Sequence, residues 1–209
     1  AVRKAREIIQ AGKLGNIYYF DSVRVNLGLF QSDTNVLWDL ATHDLSILDY
    51  ALGATPVAVS CHGARHSPNH SEDIAYLTMH CNDNILAHVH VSWLSPLKVR
   101  RTMIGGSERM LVYDDLEPYE KIRLHDKGII LPDEEERQRL RWIGYRTGDV
   151  WSPQVDGTEA LRTECAHFVD CIIGGMQPSV DGESGLRVVK VLEAAGVSLA
   201  RNGEMVAVS

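Results

Sequence analysis

Hydrophobic residues follow two different periods in the first quarter of the chain. Between residues 1 and 12 they recur at helical spacing, and the run ends at Gly12, a residue suited to a helix C-cap. From Ile17 to Leu27 apolar and polar residues alternate, which predicts a long strand with one polar face. Helical spacing returns from Asp39 to Leu52 and closes at Gly53. The pattern therefore predicts a helix, a strand and a second helix in this order.

Short β-rich runs dominate the middle of the chain. Turn residues separate them, as at Asn82-Asp83-Asn84 and Gly105-Gly106, so neighbouring runs are expected to pair as an antiparallel meander. In one run His88 and His90 lie opposite the apolar residues, which suggests that helices cover only one side of the sheet. The predicted strands are Val57–Cys61, Ile74–Cys81, Ile85–Trp93, Val99–Ile104 and Arg109–Tyr113.

The last third of the chain returns to helical spacing. It predicts helices over Glu159–Gly174 and Gly182–Asn202, and we expect both to pack on the covered side of the sheet. Residues 114 to 157 are rich in charged residues, Gly and Pro, so we expect an excursion or loop there rather than a second domain. The fold class predicted from the pattern is α+β, an open and mainly antiparallel sheet with helices on one face.

Length and charge narrow the possible functions. A chain of 209 residues fits one domain with long excursions. Its net charge of -7 argues against a dedicated binder of nucleic acid or of an anionic membrane. No apolar run approaches the ~18 residues of a membrane span. No two of the four cysteines form a C-x-x-C pair, so we interpret them as reduced thiols and expect a cytoplasmic protein.

The segment Trp38-Asp39-Leu40-Ala41-Thr42-His43-Asp44 has the strongest chemical content. Asp39 and His43 are four residues apart, so they share one face of the first helical turn. A helix N-terminus disfavours imidazolium and keeps His43 able to accept a proton, although a nearby carboxylate opposes this. Asp39 could orient the ring or bind a substrate hydroxyl. From spacing alone, an N-cap Asp39 and a structural His43 are the commoner arrangement.

The chain resembles the C-terminal domain of the Gfo/Idh/MocA oxidoreductases, the family of glucose-fructose oxidoreductase and inositol dehydrogenase. The resemblance covers nearly all of residues 1–209 and predicts a single C-terminal domain. It implies an open, mainly antiparallel sheet whose free face pairs subunits into a homo-oligomer. It also implies that Asp39 and His43 belong to the active site. The segments that carry it are GKLGNI, FDSVRVNLG, LWDLATHDLSILDYALG, HVSWLSPLKVRRTMIGG, ECAHFVDCIIGG and GLRVVKVLEAAGVSLARNGEMV.

The same resemblance implies an N-terminal Rossmann domain that binds NAD or NADP and supplies a lysine from an E-K-P motif. Neither feature is present in this sequence, because no two of its 17 glycines are separated by one residue and no E-K-P occurs. We therefore expect a fragment that lacks about 100 to 150 residues. Its cofactor-binding residues cannot be assigned within the chain.

The family implies a substrate with a secondary hydroxyl, on a sugar, nucleotide-sugar or cyclitol. His43 would then be the acid/base and Asp39 its partner or a substrate ligand. Candidate substrate-binding residues are Arg24 and Asn26 on the polar strand face, Trp38 and Lys98. Arg100 lies beside Lys98 and is a further candidate, whereas solvated strand-end charges would fit these cationic positions equally well.

Two other interpretations remain open. His62, His66 and His70 recur every four residues and His88 and His90 share a strand face, which is compatible with a metal site. Pro68 interrupts the first set and the second lacks a carboxylate ligand, so we expect no metal. The domain could alternatively be a non-catalytic module that binds sugar or assembles a homo-oligomer through its sheet.

Overall fold

A mixed sheet forms the centre of the computed structural model, which describes residues 1–28, 30–31, 33–67, 71–130 and 144–209. Its helices are α1 (Val2–Gln10), α2 (Thr42–Leu52), α3 (Ala160–Gly174) and α4 (Gly182–Ala200), with a π-helical turn at Leu37–Ala41 and a 3-10 turn at Asn82–Asn84. The strands are β1 (Ile17–Leu27), β2 (Pro56–Ala64), β3 (Ile74–Cys81), β4 (Leu86–Ser92), β5 (Leu94–Gly106), β6 (Met110–Asp114), β7 (Ile122–His125), β8 (Gly128–Ile130), β9 (Gly144–Arg146), β10 (Val150–Trp151) and β11 (Val206–Ala207).

The first strand lies in the middle of the sheet. The strand order is β10-β7-β6-β5-β1-β4-β3-β2-β11, and β1 pairs in parallel with β4 and antiparallel with β5. The strand pairs that follow one another along the chain, β2–β3, β3–β4, β5–β6 and β6–β7, are all antiparallel. The predicted α+β class with an open, mainly antiparallel sheet is confirmed.

Helices α2 and α4 cover one face of the sheet and bury the core against it. Strand β3 shows the alternation that follows, because Leu77 and Met79 are buried under the helices. Tyr76, between Ala75 and Leu77 on the same strand, points to the other face and is exposed. The buried core of the covered face includes Leu45, Leu48, Val59, Val89, Val91, Val191, Leu192 and Ala195.

The polar side of β1 is the buried side. Phe20, Ser22 and Arg24 are buried on the covered face of the sheet, whereas Val23 between them is only half-buried. Placing Arg24 among solvated strand-end charges is therefore wrong. The physical reason is Asp44 on α2, whose carboxylate neutralises the Arg24 guanidinium inside the fold.

Three element predictions need correction. The helix expected from Asp39 begins with a π-helical turn, and α2 starts only at Thr42. The expected excursion instead lengthens the sheet, because β7 pairs with β6 and β10 pairs with β7. Helix α3 does not pack on the covered face, since nearly all of its side chains are exposed. The charged run at residues 131–143, with Trp142, lies outside the described residues.

No helix in the described part of the chain combines the length and the apolar character needed to cross a membrane.

Candidate active site

Asp39 is fixed by the indole of a buried tryptophan. It lies in the middle of the π-helical turn, and Trp93 Nε1 donates a hydrogen bond to Asp39 Oδ2 at 2.8 Å. Trp93 is 1% exposed and lies between β4 and β5, so it ties the turn to the sheet. Asn35 Oδ1 also accepts a hydrogen bond from the backbone N–H of Trp38 at 3.1 Å. Rare π turns occur frequently at functional sites.

His43 is the second residue of α2 and reaches the surface. Partial desolvation lowers the pKa of its ring, and the positive charges of Arg24 and Arg100 lower it further, while Asp44 and Asp39 oppose the shift. Among the described residues no hydrogen bond engages its ring nitrogens. The lowered pKa favours the neutral, proton-accepting form of an accessible ring, which is the form that a general base needs.

Asp39 and His43 are close in sequence but are not hydrogen-bonded to each other within the described structure. The π turn has i→i+5 hydrogen bonds, so residues four apart are not stacked as in a regular α-helix. Trp93, rather than His43, binds the Asp39 carboxylate. The proposed roles of both residues thus stay predictions, and the geometry favours Asp39 as a separate ligand over Asp39 as orienter of the ring.

A buried polar cluster lies directly beneath His43. Arg24 Nε donates to Asp44 Oδ2 at 2.8 Å and Arg24 Nη2 donates to Asp44 Oδ1 at 3.3 Å. The Ser22 hydroxyl donates to Asp44 Oδ1 at 2.7 Å and lies 3.1 Å from the Thr102 hydroxyl. Asp44 is 1% exposed, so its charge depends entirely on these partners. The cluster fixes the start of α2, and with it His43, over β1.

Arg100 lies opposite Arg24 across the β1–β5 pair. Its NH1 is 3.6 Å from Asp115 Oδ2, and its Nε is buried with no hydrogen-bond partner in the described part of the chain. Asp115 also accepts a hydrogen bond from Tyr113 at 2.9 Å and contacts Lys121 Nζ at 3.5 Å. Arg100 and Lys121 thus share the single negative charge of Asp115, which leaves net positive charge close to His43.

The other predicted binding residues lie in different settings. Trp38 is exposed beside Asp39 on the π turn. Lys98 is exposed on β5, and Asn26 is half-buried near the end of β1. Arg24 is buried and paired with Asp44 through Nε and Nη2, so it acts on the site mainly through its charge. The structure therefore brings Arg24 and Arg100 to His43, and Trp38 to Asp39.

Asp44, Trp93 and Asp115 are absent from the sequence-based set of candidates. Asp44 directly follows His43 in the run Thr42-His43-Asp44, so the same local motif could have identified it as a site residue. Trp93 and Asp115 lie on distant segments, so only the sheet register reveals that they belong to this region.

The other histidines lie on separate parts of the fold. His88 Nδ1 is 3.3 Å from Asp21 Oδ1, and the His90 ring stacks on Tyr76 with 4.4 Å between centroids, all on the open face. His66 Nδ1 is 2.8 Å from Asp73 Oδ1. No group of three metal-ligating side chains converges within the residues that the structure describes, and His70 lies outside them. The prediction of no metal is unchanged.

Comparison with known proteins gives one family match. A model described as the GFO/IDH/MocA C-terminal domain matches residues 2–112. No curated protein matches the chain.

Similar folds occur in solved oxidoreductase structures. UDP-N-acetylglucosamine 3-dehydrogenase GnnA from Acidithiobacillus ferrooxidans has a TM-score of 0.71 at 20% identity, with 96% of this chain and 60% of that chain covered. Aldose-aldose oxidoreductase from Caulobacter crescentus, complexed with glycerol, gives 0.75 at 18% identity, covering 99% and 60%. Levoglucosan dehydrogenase, in complex with NADH and L-sorbose, gives 0.72 at 16%, covering 98% and 62%. At these identities the likeness shows the fold, and this chain spans about 60% of the length of each structure.

Asp44→Asn is expected to destabilise the domain by about 3 to 5 kcal/mol, because it leaves the buried Arg24 charge without a counter-ion. Asp49→Asn is the matched control, since Asp49 pairs with the half-exposed Arg187 and its loss should cost less than about 1 kcal/mol. Urea unfolding of both variants measures the difference. Equal costs would contradict the role given to the buried pair.

His43 is expected to titrate below its ordinary pKa of 6.5. The unfolded chain then takes up this proton first, so as pH falls from 6.5 towards the folded-state pKa, His43 reduces the stability of the fold. Arg100→Gln should raise the His43 pKa by removing a positive charge. Arg101→Gln, on the opposite face and paired with Asp114, should leave it unchanged. Titration of the histidine ring protons by NMR measures both, and equal shifts would contradict the assignment.

Proposed function

This chain belongs to the Gfo/Idh/MocA family as its C-terminal domain, and we propose that it is the substrate-binding and oligomerisation domain of an NAD(P)-dependent oxidoreductase. The substrate would be a secondary alcohol of a sugar, nucleotide-sugar or cyclitol, or the matching ketone. The structural neighbours named as acting on UDP-N-acetylglucosamine, aldoses and levoglucosan support this substrate class.

The observation that supports this most is the exposed His43, whose pKa is lowered by partial burial and by the charges of Arg24 and Arg100. When a secondary alcohol is oxidised, hydride leaves carbon as the hydroxyl proton leaves oxygen. A neutral ring nitrogen of His43 would take that proton, and the imidazolium would return it in the reverse reaction. The Arg24 and Arg100 charges favour the neutral ring and stabilise negative charge that develops on the substrate oxygen.

Asp39 would bind a second hydroxyl of the same ring. Trp93 occupies Asp39 Oδ2, and Asp39 Oδ1 has no partner among the described residues. A carboxylate oxygen accepts hydrogen bonds readily from sugar hydroxyls. The exposed indole of Trp38 on the same turn would flank the apolar face of the sugar.

The described residues do not form a dinucleotide site. A Rossmann site needs a parallel strand that runs through a glycine-rich turn into a helix. Here β1 is the parallel strand at the site, and it is followed by Gly28 and the π turn instead. NAD or NADP would therefore be held outside this chain, where it would accept or supply the hydride. The NADH and NAD+ complexes among the similar structures support a nicotinamide cofactor.

Lys98 and Arg100 would select substrates that carry an anionic group. Both lie on the same face of β5, two residues apart, and the Arg100 side chain is 34% exposed. Exposed guanidinium groups bind phosphate and carboxylate. A phosphate or carboxylate on the sugar would then pair with this part of the site, and Asn26 would contact its hydroxyls.

The expected setting is the cytoplasm. The four cysteines are free thiols, and Cys61 and Cys81 are buried, where burial raises their pKa to about 12 and about 11. Inert, reduced thiols are typical of a reducing compartment. We expect no nucleic-acid or membrane partner.

His43→Gln in the complete enzyme should lower kcat by roughly 100- to 10,000-fold, because it removes the proton acceptor. His62→Asn, at the far edge of the sheet on β2, is the matched control and should keep normal turnover. The assay follows NADH or NADPH absorbance with UDP-N-acetylglucosamine, aldoses and inositol.

Normal turnover in the His43 variant would overturn the proposed role of His43. Binding of these sugars without turnover by the unaltered protein, with either nucleotide, would favour the non-catalytic module instead. Isothermal titration with each sugar distinguishes this outcome from the absence of any interaction.

The open face of the sheet would join copies of the chain. It carries Tyr76 and the stacked His90, whose buried Nε2 has no partner within the described residues. A half-apolar sheet face of this kind is typical of a subunit interface. A partner copy would cover the rings and supply an acceptor or donor for His90.

Tyr76→Lys is expected to shift the protein from an oligomer to one chain of 23.3 kDa, because it buries a charge in that interface. Tyr119→Lys makes the same change at a site that is 88% exposed in a loop, and should leave the mass unaltered. Light scattering after size-exclusion chromatography measures the mass. A monomeric unaltered protein would contradict the proposed interface.

A further inference from the structure

Three arginine–aspartate pairs lie next to one another on the central strands. They are Arg24–Asp44 and Arg100–Asp115 on the covered face of the sheet and Arg101–Asp114 on the open face. In the first pair the guanidinium donates hydrogen bonds of 2.8 and 3.3 Å, and in the third pair of 3.0 and 2.7 Å. In the second pair Arg100 Nη1 lies 3.6 Å from Asp115 Oδ2, which is too long for a hydrogen bond. Arg100 is therefore the most loosely held arginine of the three.

Asp115 is fixed by contacts that do not involve the Arg100 side chain. Its backbone N–H donates to the carbonyl oxygen of Arg100 at 3.0 Å, which extends the pairing of β5 with β6. The Tyr113 hydroxyl donates to Asp115 Oδ1 at 2.9 Å, and Lys121 Nζ donates to the Asp115 carbonyl oxygen at 3.0 Å. The Asp115 carboxylate thus stays in place when the Arg100 guanidinium moves away from it.

The Asp115 carboxyl group is ionised at neutral pH. Partial burial acts to raise its pKa, but the hydrogen bond from Tyr113 and the charges of Lys121 and Arg100 outweigh burial and lower this pKa. Burial and the nearby carboxylate raise the pKa of Tyr113, so its hydroxyl keeps the proton that it donates. Asp115 is therefore a permanent negative charge at a fixed position beside Arg100.

The Arg100 guanidinium is accessible to a ligand at the site. The Arg100 side chain is 34% exposed and that of Asp115 is 33% exposed, so the contact between them is open to solvent. Arg100 lies directly opposite Arg24 on the covered face, and its charge lowers the pKa of His43. Its charge thus acts at the position of the proposed proton acceptor. Among the described residues, Asp115 is the one carboxylate that pairs with Arg100.

An anionic group on a ligand has to displace Asp115 from Arg100. A carboxylate would replace one monoanion by another of the same geometry, so the exchange gains little. A phosphate group carries about -1.5 to -2 charges near pH 7 and three strong acceptor oxygens, which match the planar guanidinium fork. Arg100, Lys98 and Lys121 together carry more positive charge than Asp115 neutralises. A phosphate group is therefore the anion that gains from the exchange.

We propose that Asp115 sets the specificity of the site for a phosphorylated substrate, because it keeps Arg100 paired until a phosphate group displaces it. The guanidinium then binds two phosphate oxygens, while Asp115 keeps its contacts with Tyr113 and Lys121. Asp115 is a positioning residue in this exchange, since it contacts Arg100 and not the ligand. The proposal rests on the proposed function for the sugar that carries the phosphate, whereas the exchange at Arg100 is independent of catalysis.

Titration of the complete enzyme with inorganic phosphate tests the exchange. Arginine Nε–H signals in 15N NMR spectra report binding at each arginine, and the signal that is lost in Arg100→Gln identifies Arg100. Asp115→Asn should tighten phosphate binding at this signal by roughly three- to tenfold, because the competing charge is removed. Acetate is the monoanionic comparison, and it should bind the unaltered protein roughly tenfold more weakly than phosphate does.

Asp126→Asn is the matched control. Asp126 is also 33% exposed and also pairs with two cations, Arg109 and Arg146, but it lies at the opposite end of the β6–β7 pair from Asp115. Both substitutions change the net charge by the same amount, so the control separates a local exchange from a general attraction of anions. Asp126→Asn should leave phosphate binding at Arg100 unchanged. Asp115→Glu retains the competing charge and should keep the affinity of the unaltered protein.

Equal phosphate affinity of the unaltered protein and Asp115→Asn would overturn the proposal, and so would equal tightening in Asp126→Asn. Equal binding of acetate and phosphate to the unaltered protein would also overturn it, and this comparison requires no variant. Separate titrations with glucose 1-phosphate and UDP-N-acetylglucosamine distinguish a phosphate monoester from a nucleotide diphosphate as the source of the group. The titrations involve no turnover, so normal kcat in His43→Gln would contradict the acid/base role of His43 without changing their outcome.

Discussion

The buried ion pair between Arg24 and Asp44 is the interaction on which the site depends. It joins the central strand to α2 with Asp44 1% exposed, so neither charge could remain in the fold without the other. Ser22 completes the coordination of the carboxylate. Asp44 lies between His43 and the buried Leu45 on α2. The Arg24–Asp44 pair therefore fixes which side of α2 packs on the sheet and the direction in which the His43 side chain projects.

The second constraint acts beside the end of the central strand β1. Trp93 fills the junction of β4 and β5 and directs its indole N–H at Asp39. Its ring also approaches Gly28, where a Cβ atom would lie 2.4 Å from the Trp93 ring, so this position requires glycine. The π turn is thereby held between a strand end and a buried tryptophan. Asp39 and His43 are positioned by two different anchors, which explains how they can serve one ligand without binding each other.

The periodicity of the sequence was sufficient to predict the sheet, because β3 and β4 alternate strictly and a covered antiparallel sheet requires that pattern. It was misleading for β1. The alternation in the sequence places Ser22 and Arg24 on a polar face, whereas in the structure both are buried and both bind Asp44 of α2. It was also misleading for α3, whose apolar spacing is typical of a buried helix but whose side chains are nearly all exposed in the described structure. The Asp39 and His43 positions were accessible from a local motif. Trp93 was not, because its contact with Asp39 joins residues 54 positions apart. Asp115 was not, because it belongs to the site only through Arg100, which the sheet register places opposite Arg24.

Two physical rules bear on the mispredicted elements. A buried polar group is costly unless a partner satisfies it, and a contiguous exposed apolar patch often marks an interaction site. Arg24 is buried because Asp44 is its partner. Helix α3 has an exposed apolar side. Arg100 has a buried Nε that no described residue binds. Two buried polar atoms lack a hydrogen-bond partner in the described part of the chain: Arg100 Nε on the covered face near His43, and His90 Nε2 on the open face. The chemistry proposed for His43 and the proposed pairing of subunits therefore use opposite faces of one sheet.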